Sequence, residues 1–444
     1  MSKVLSKSLR PSNAIAIGAL TSVVKRQTIE RVLERHPREK ARMRKLPDIA
    51  VVYFVVAMAL FFGDGYREVV RKMMESLRTA SFWKGIWSVP TASALCQARK
   101  RVPDTVMKEV FDETAVLLGK PTTPGCWLGN RRLMAFDGTI LNLPDSSENE
   151  AEFGRRKGKK DGPFPQILVV GLVEVGTHAV IAAELGSAFA GERALALELR
   201  GHLGPDMLVM CDRGFYSFEF FRDMMQTGAD LLFRVQAGMK LPVVKQLRDG
   251  SYLSEISTDK LRRKAVRYPS DVADIRDATA IPVRVIEYMV TDRGKDGERE
   301  TVCLITTILD PDDATADDLA RTYAERWEIE HVFDEIKNHL LIPRATLRSC
   351  TPSFVRQEIW GILLAHYSLR ALMVDAACRD QCDPDRVSFT HAVKVVKRTT
   401  MSMAHFSPEG TEDSSRRGSC GDHGGPSCCA TESHLSASGE TDSV

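Results

Sequence analysis

"LVMCDRGFYSFEFF", residues 208–221, decides the fold. Leu208 to Cys211 form an apolar run of strand length, which passes directly into Asp212, Arg213 and Gly214 and then into an aromatic stretch that reads as a helix capped by Ser217. Strand, polar turn and helix in this order belong to a layered α/β sheet. A carboxylate at the mouth of a core strand is costly unless something pairs with it, so Asp212 marks a place to look for chemistry.

The same texture extends both ways. Upstream, "RLMAFDGTILNLP" is apolar up to Asp137, "QILVVGLVEVGTHAVIAAEL" reads as a hairpin turning at Gly176 and Thr177, and "ERALALELRGHL" reads as a helix after Gly191. Downstream, Gly228 ends the helix "FEFFRDMMQT" and "ADLLFRVQ" is another strand. Three strands, a helix, a strand, a helix and a strand predict a mixed α/β layer over residues 128–348. Between about 237 and 300 the alternation gives way to short strands such as "VRVIEYMVT", an inserted β-rich subdomain. A core strand returns at Thr301–Asp310, Asp317 or Asp318 opens a long helix through Leu340, and further helices occupy 349–402.

Residues 15–120 lack strand alternation and read as a helical domain. Its apolar run "IAVVYFVVAMALFF", Ile49 to Phe62, is shorter than the roughly 20 residues a membrane span needs, so a buried helix is expected and a membrane partner is not. No secretory signal is visible, which points to the cytoplasm. Residues 403–444 are rich in Gly and Ser with few large apolar residues, and disorder is expected there.

The formal net charge of +2 announces no nucleic-acid partner by itself. Basic clusters are local: "RRKGKK" from Arg155, "RKMMESLR" around Arg71, "ARKR" from Ala98 and "KLRRKAVR" from Lys260, each of which can also be a solvated face. Cys96, Cys126, Cys211, Cys303, Cys350, Cys378 and Cys382 are dispersed as reduced thiols would be, and the tail group Cys420, Cys428 and Cys429 with His423 matches no metal-site spacing.

Asp137 and Asp212 both read as strand-end aspartates that converge if their strands are neighbours, although Asp–Gly also favours turns. In "YAERWEIEHVFDEIK", Tyr323, Arg326, Glu330 and Lys337 fall within an arc roughly 60° wide on a continuous helix, with Asp334 in or beside it. Carboxylates gathered from two strands and a helix suit two divalent cations, which stabilise the attacking and leaving oxygens of a phosphodiester.

The spacing Tyr323-x2-Arg326-x3-Glu330-x6-Lys337 resembles the YREK signature of the insertion-sequence-four family of bacterial transposases, and "FDGT" and "DRGFYS" resemble the segments with its two aspartates. The segment from "RMRKLPDIAVVYFVVAMALFF" through "WSVPTASALCQARKRV" is similar to the family's N-terminal domain. The resemblance implies an RNase H-like catalytic core with a β-rich insertion, preceded by a helical domain that binds DNA ends. It further implies that Asp137, Asp212 and Glu330 hold two Mg²⁺ or Mn²⁺ ions, nick DNA by hydrolysis and then activate the freed 3′-hydroxyl for strand transfer. Tyr323, Arg326 and Lys337 would hold phosphates, with Arg213 beside them; Trp327 would stack on a displaced base or serve the core; Gln97, Arg99 and Lys100, with Ser93, would meet the element's ends. The implied partners are terminal inverted repeats, target DNA and a second copy in a synaptic homodimer, all at the nucleoid. After about Thr400 the sequence departs from the family and resembles a frameshifted or truncated end. A nuclease without strand transfer, and an end-binding remnant without catalysis, are the alternatives.

Overall fold

The structure, a computed structural model, describes residues 17–37, 46–79, 89–156, 163–258, 280–291, 299–343 and 345–402; within these, the side chains of 17–19, 74–79, 291, 299, 327–330 and 398–402 lie outside it. The tail 403–444 and the basic run Lys260–Arg267 fall outside the described residues, as do residues 157–162 of the cluster that starts at Arg155.

The sheet begins with a short β1 (Trp127–Leu128) beside β2 (Arg131–Asn142), followed by β3 (Gln166–Glu174), β4 (Ala179–Ser187), β5 (Met207–Cys211) and β6 (Asp230–Val235). The order is β4-β3-β2-β5-β6, with the first three antiparallel and β5 and β6 parallel to β2, which is the RNase H-like arrangement. Every residue of β5 is buried, as a central strand covered on both faces requires. Helices α8 (Glu192–Glu198) and α9 (Phe218–Met225) follow β4 and β5, and Ser217 caps α9 by accepting from the Phe220 amide at 3.2 Å.

The described strands of the insertion join the main sheet. Its strands β7 (Lys245–Gln246), β8 (Tyr252–Ile256) and β9 (Ile281–Thr291) continue the same sheet through β10 (Arg299–Thr306), which pairs with β6. An open edge on β6 would expose unpaired amides and carbonyls, and β10 removes it.

On the N-terminal side, α3 (Asp48–Leu60) is buried at every position from Ala50 onward, as expected of the apolar run. It packs against α12 (Pro352–Asp380), a helix long and apolar enough to cross a bilayer but mostly buried inside the fold. Gly361 permits the contact: a Cβ there would lie 2.8 Å from the Val55 carbonyl oxygen.

Arg99, at the end of α5 (Ala92–Arg99), corrects one expectation. It is 0% exposed, so it cannot reach DNA. Its guanidinium donates to Gln357 Oε1, the Tyr66 hydroxyl, Ser349 Oγ and the Phe354 carbonyl, at 2.9–3.3 Å, and lies 4.3 Å from the Phe354 ring. It ties the helical domain to α12. Ser93, Gln97 and Lys100 remain exposed on the same helix and its C-cap. The other clusters are partly structural as well: Arg71 pairs with Glu68, Arg155 with Asp145 and Glu150, and Arg101 donates to the Leu46 carbonyl.

A second buried polar chain joins α12 to the sheet. Glu335 accepts from His366 Nε2 at 3.0 Å and from both Nε (3.0 Å) and Nη2 of Arg370; Arg370 Nη2 also donates to His178 Nδ1 at 2.7 Å, and His178 Nε2 lies 3.2 Å from Asp385 Oδ1. His178 sits at the β3–β4 turn with φ 55°. Burial, then the nearby Arg370 charge, holds its pKa well below 6.5; burial lowers that of His366 despite the opposing Glu335.

Two outcomes follow for stability. Arg99→Ala, which strands four acceptors in the interior, should cost about 3 kcal/mol in urea denaturation, whereas Lys100→Ala should change it by less than about 0.5 kcal/mol. Because His178 and His366 bind protons more weakly folded than unfolded, stability should be full above pH 6.5 and decline as pH falls below it. Urea midpoints between pH 7.5 and 5 test this, and Gln at both positions should flatten the decline.

Candidate active site

The register of β2 against β5 builds the site. Parallel partners run Arg132–Met207, Leu133–Leu208, Met134–Val209 and Ala135–Met210, a constant offset that, continued by two residues, would set Phe136 beside Cys211 and Asp137 beside Asp212. Neighbouring strands lie about 4.8 Å apart, so the offset puts one carboxylate on β2 and the other just past the end of the adjacent β5. Asp137 does not end its strand. β2 runs on to Asn142, paired with β3, and only the β5 neighbour stops, so Asp137–Gly138 is extended sheet rather than a turn. Both aspartates are partly exposed, as a ligand-accessible pair must be.

Alternation along β2 sends its side chains to opposite faces. Phe136 packs with Phe215 and Phe220 on the α9 side, 6.3 and 6.5 Å between ring centres, and Asp137 takes the other face. Gly171 is Asp137's partner on β3, and a Cβ there would meet Val180 Cγ1 at 3.2 Å and Phe333 Cζ at 3.4 Å. Phe333 belongs to α11 (Trp327–Asp334), which therefore crosses the sheet on Asp137's face. Glu330 is on this helix three residues before Phe333, and residues three apart share a helix face. The side chains of Glu330 and Trp327 lie outside the described residues.

The long helix expected over these residues is in three pieces. Thr315 caps α10 (Ala316–Glu325) in a capping box with Asp318; α11 follows a turn at Arg326; and Glu335–Leu340 is a π-helix, with the Leu341 amide bonded to the Ile336 carbonyl at 3.0 Å. The single 60° arc is thereby broken, because the turn and the wide π segment change the angle per residue.

Tyr323 and Arg326 are 1% and 2% exposed. Burial raises the phenol's pKa, so the hydroxyl stays protonated; it lies 3.4 Å from both Asp212 Oδ1 and the Cys211 carbonyl, and accepts from Arg326 Nε at 3.1 Å. Arg326 Nη2 is 3.8 Å from Asp212 Oδ1. Here both side chains support the second aspartate instead of presenting a surface to phosphate. Lys337 is half-exposed in the π segment, and Arg213, next to Asp212, is exposed.

Among the described residues no cluster of three or more His, Cys, Asp or Glu side chains is arranged to hold a metal. What is described is a pair of hard oxygen donors, Asp137 and Asp212, with an open side toward α11. That donor chemistry fits Mg²⁺ or Mn²⁺ and not a soft ion. Two participants were not read from the sequence. Gly171 could have been, since a lone glycine inside "QILVVGLVE" signals a close approach; Glu335 could not, because its partners lie 31 and 35 residues away.

Residues 14–112 match the family described as insertion element 4 transposase N-terminal, and residues 128–367 match the family described as transposase DDE domain. The chain is 29% identical over 387 residues to the transposase InsG for insertion sequence element IS4 of Escherichia coli strain K12, covering 86% of this chain and 82% of that one. A solved piggyBac transposase synaptic complex with hairpin DNA aligns with a TM-score of 0.43 at 10% identity, over 90% of this chain and 84% of its own.

Gly171 sets the approach of α11 to the sheet. Gly171→Leu should lift that helix, read as faster amide exchange across 327–334 with β2 and β5 still protected, whereas Gly171→Ala should exchange almost as the native chain does.

Proposed function

The chain belongs to the DDE transposases and has the N-terminal domain of the insertion element 4 group, and from that premise we propose how its residues perform the cutting and joining of DNA. It is an insertion-sequence transposase that depends on a divalent metal. Our reading is that Asp137, Asp212 and Glu330 hold two Mg²⁺ or Mn²⁺ ions, that water first cuts one strand at each element end, and that the freed 3′-hydroxyl then attacks a second phosphodiester. The observation that supports it most is the β2–β5 register, whose offset, continued past its last pair at Ala135 and Met210, points Asp137 and Asp212 to the same end of β5.

When bound, the ions would supply Lewis acidity at the scissile phosphate and ease ionisation of the attacking oxygen. The chain's own contribution is orientation. Tyr323 and Arg326 keep Asp212 aimed at the open side of the site, the phenol as a donor and the guanidinium as a fixed positive charge. Asp137 is braced by the Gly138 amide, 2.9 Å from its Oδ1. Arg213 and Lys337, which retain exposure, would meet backbone phosphates; Gln97 and Lys100 on α5 would meet the terminal inverted repeats; Trp327 would stack on a displaced base. The partners would be double-stranded DNA at the element's ends, target DNA, and a second copy of the chain in a synaptic homodimer, acting in the cytoplasm at the nucleoid.

Asp137→Asn, Asp212→Asn and Glu330→Ala should each reduce nicking of end-bearing DNA in Mg²⁺ by roughly 10³-fold or more, with the gel shift of that DNA nearly unchanged. Cutting by Glu330→Ala at the native rate would remove Glu330 from the site. Joined products from the native protein support strand transfer; nicks alone would indicate a nuclease.

A further inference from the structure

The eight-residue helix that carries Glu330 follows the turn at Arg326 and runs, with helical dihedrals at Asp334 and Glu335, directly into the π-helix that starts at Glu335. Apolar contacts of Val332, Phe333 and Ile336 press it toward the core, but such contacts are not directional and leave rotation and axial height loosely set. On the opposite face, His331 and Asp334 line a cavity of about 240 Å³ together with Glu335, Arg370, His178 and Asp385, so close packing does not fix the helix there and polar contacts must. Among the described contacts, a directional polar anchor stands at each end. Arg326 and Tyr323 form the first, on Asp212. The second is Glu335, 7% exposed, whose carboxylate receives two bonds from Arg370 and one from His366, both on the long helix α12.

We propose that Glu335 is a positioning residue for the transposase reaction: its bonds to Arg370 and His366 set the rotation and height of α11, and thereby the place where the third carboxylate meets Asp137 and Asp212. This rests on the reading of Glu330 as a metal ligand. Five residues of α-helix span about 7.5 Å and a fixed rotation, so a rigid clamp at 335 is transmitted to 330 with little slack. Arg370 is itself held by His178 Nδ1 at 2.7 Å, and His178 sits at the β3–β4 turn, so the clamp is anchored to the sheet that bears Asp137. Glu335 lies outside the Tyr-Arg-Glu-Lys spacing and contacts neither aspartate in the described structure.

The test uses the full chain with Glu335→Gln, which keeps the shape and loses the charge, and Arg370→Lys, which loses the planar fork. Mn²⁺ binding is measured by the paramagnetic resonance of the free ion, alongside single-turnover nicking at saturating end DNA. Both variants should bind Mn²⁺ about tenfold or more weakly and nick more slowly by a similar factor, with the rate recovering as Mn²⁺ is raised and end-DNA affinity unchanged. Glu330→Ala is the control. If it loses Mn²⁺ binding while both clamp variants bind and cut as the native protein does, the clamp inference fails and the ligand reading stands. If Glu330→Ala binds Mn²⁺ normally, the ligand reading itself is wrong. Loss of a cooperative melt in both clamp variants also overturns the proposal, since Glu335 would then be holding the core together and not aiming a helix.

Discussion

The parallel pairing of β2 with β5 is the constraint on which the rest of the site depends. Its offset is fixed over four consecutive partners, and a slip of one residue would turn every side chain of one strand to the opposite face. Such a slip would bury Asp137 under α9 and put Phe136 where a carboxylate is needed. The apolar surroundings of β5, buried at all its positions, make that slip costly. The energy that protects the core register therefore also protects the face on which Asp137 stands.

Everything that reaches the site from elsewhere is referred to this pair. α11 is drawn down by Phe333 onto Gly171, the cross-strand partner of Asp137, while Arg326 and Tyr323 attach the same segment to Asp212. The insertion contributes at a distance. Buried Arg284 on β9 pairs with Asp249, and Asp249 accepts from the Ala316 amide at 2.8 Å, so strands that lengthen the sheet also hold the start of α10. An arginine with several carbonyl or carboxylate partners suits each junction, because its planar fork makes several bonds at fixed angles. Arg99 and Arg370 serve the same purpose where α12 meets the helical domain and the sheet.

Arg99 shows how local sequence can mislead. In "ARKR" it reads like its neighbours, and a basic run on a short helix invites a nucleic-acid contact. Its partners, Ser349, Phe354 and Gln357, lie more than 240 residues away, so only the tertiary fold distinguishes it from exposed Lys100. Tyr323 and Arg326 are a subtler case. Their spacing identified the right helix, but the equal angle per residue that made a polar stripe of them is interrupted at Arg326 and again at Glu335. The side chains turned inward to an aspartate are ones that the family resemblance had assigned to phosphate.

By itself the sequence determined the element order, the strands that carry Asp137 and lead into Asp212, the buried helix at Asp48–Leu60, and a motif spacing specific enough to point to a family. These are local properties: hydrophobic period, turn residues, and offsets along one segment. The tertiary structure decided the rest. It showed that β7 to β10 extend the sheet, that β2 continues past Asp137, that α11 is set between breaks, and which cations are buried. The reason is physical: burial, register and hydrogen-bond partners depend on residues far apart in the chain, and no periodicity within a segment encodes which distant group will meet it.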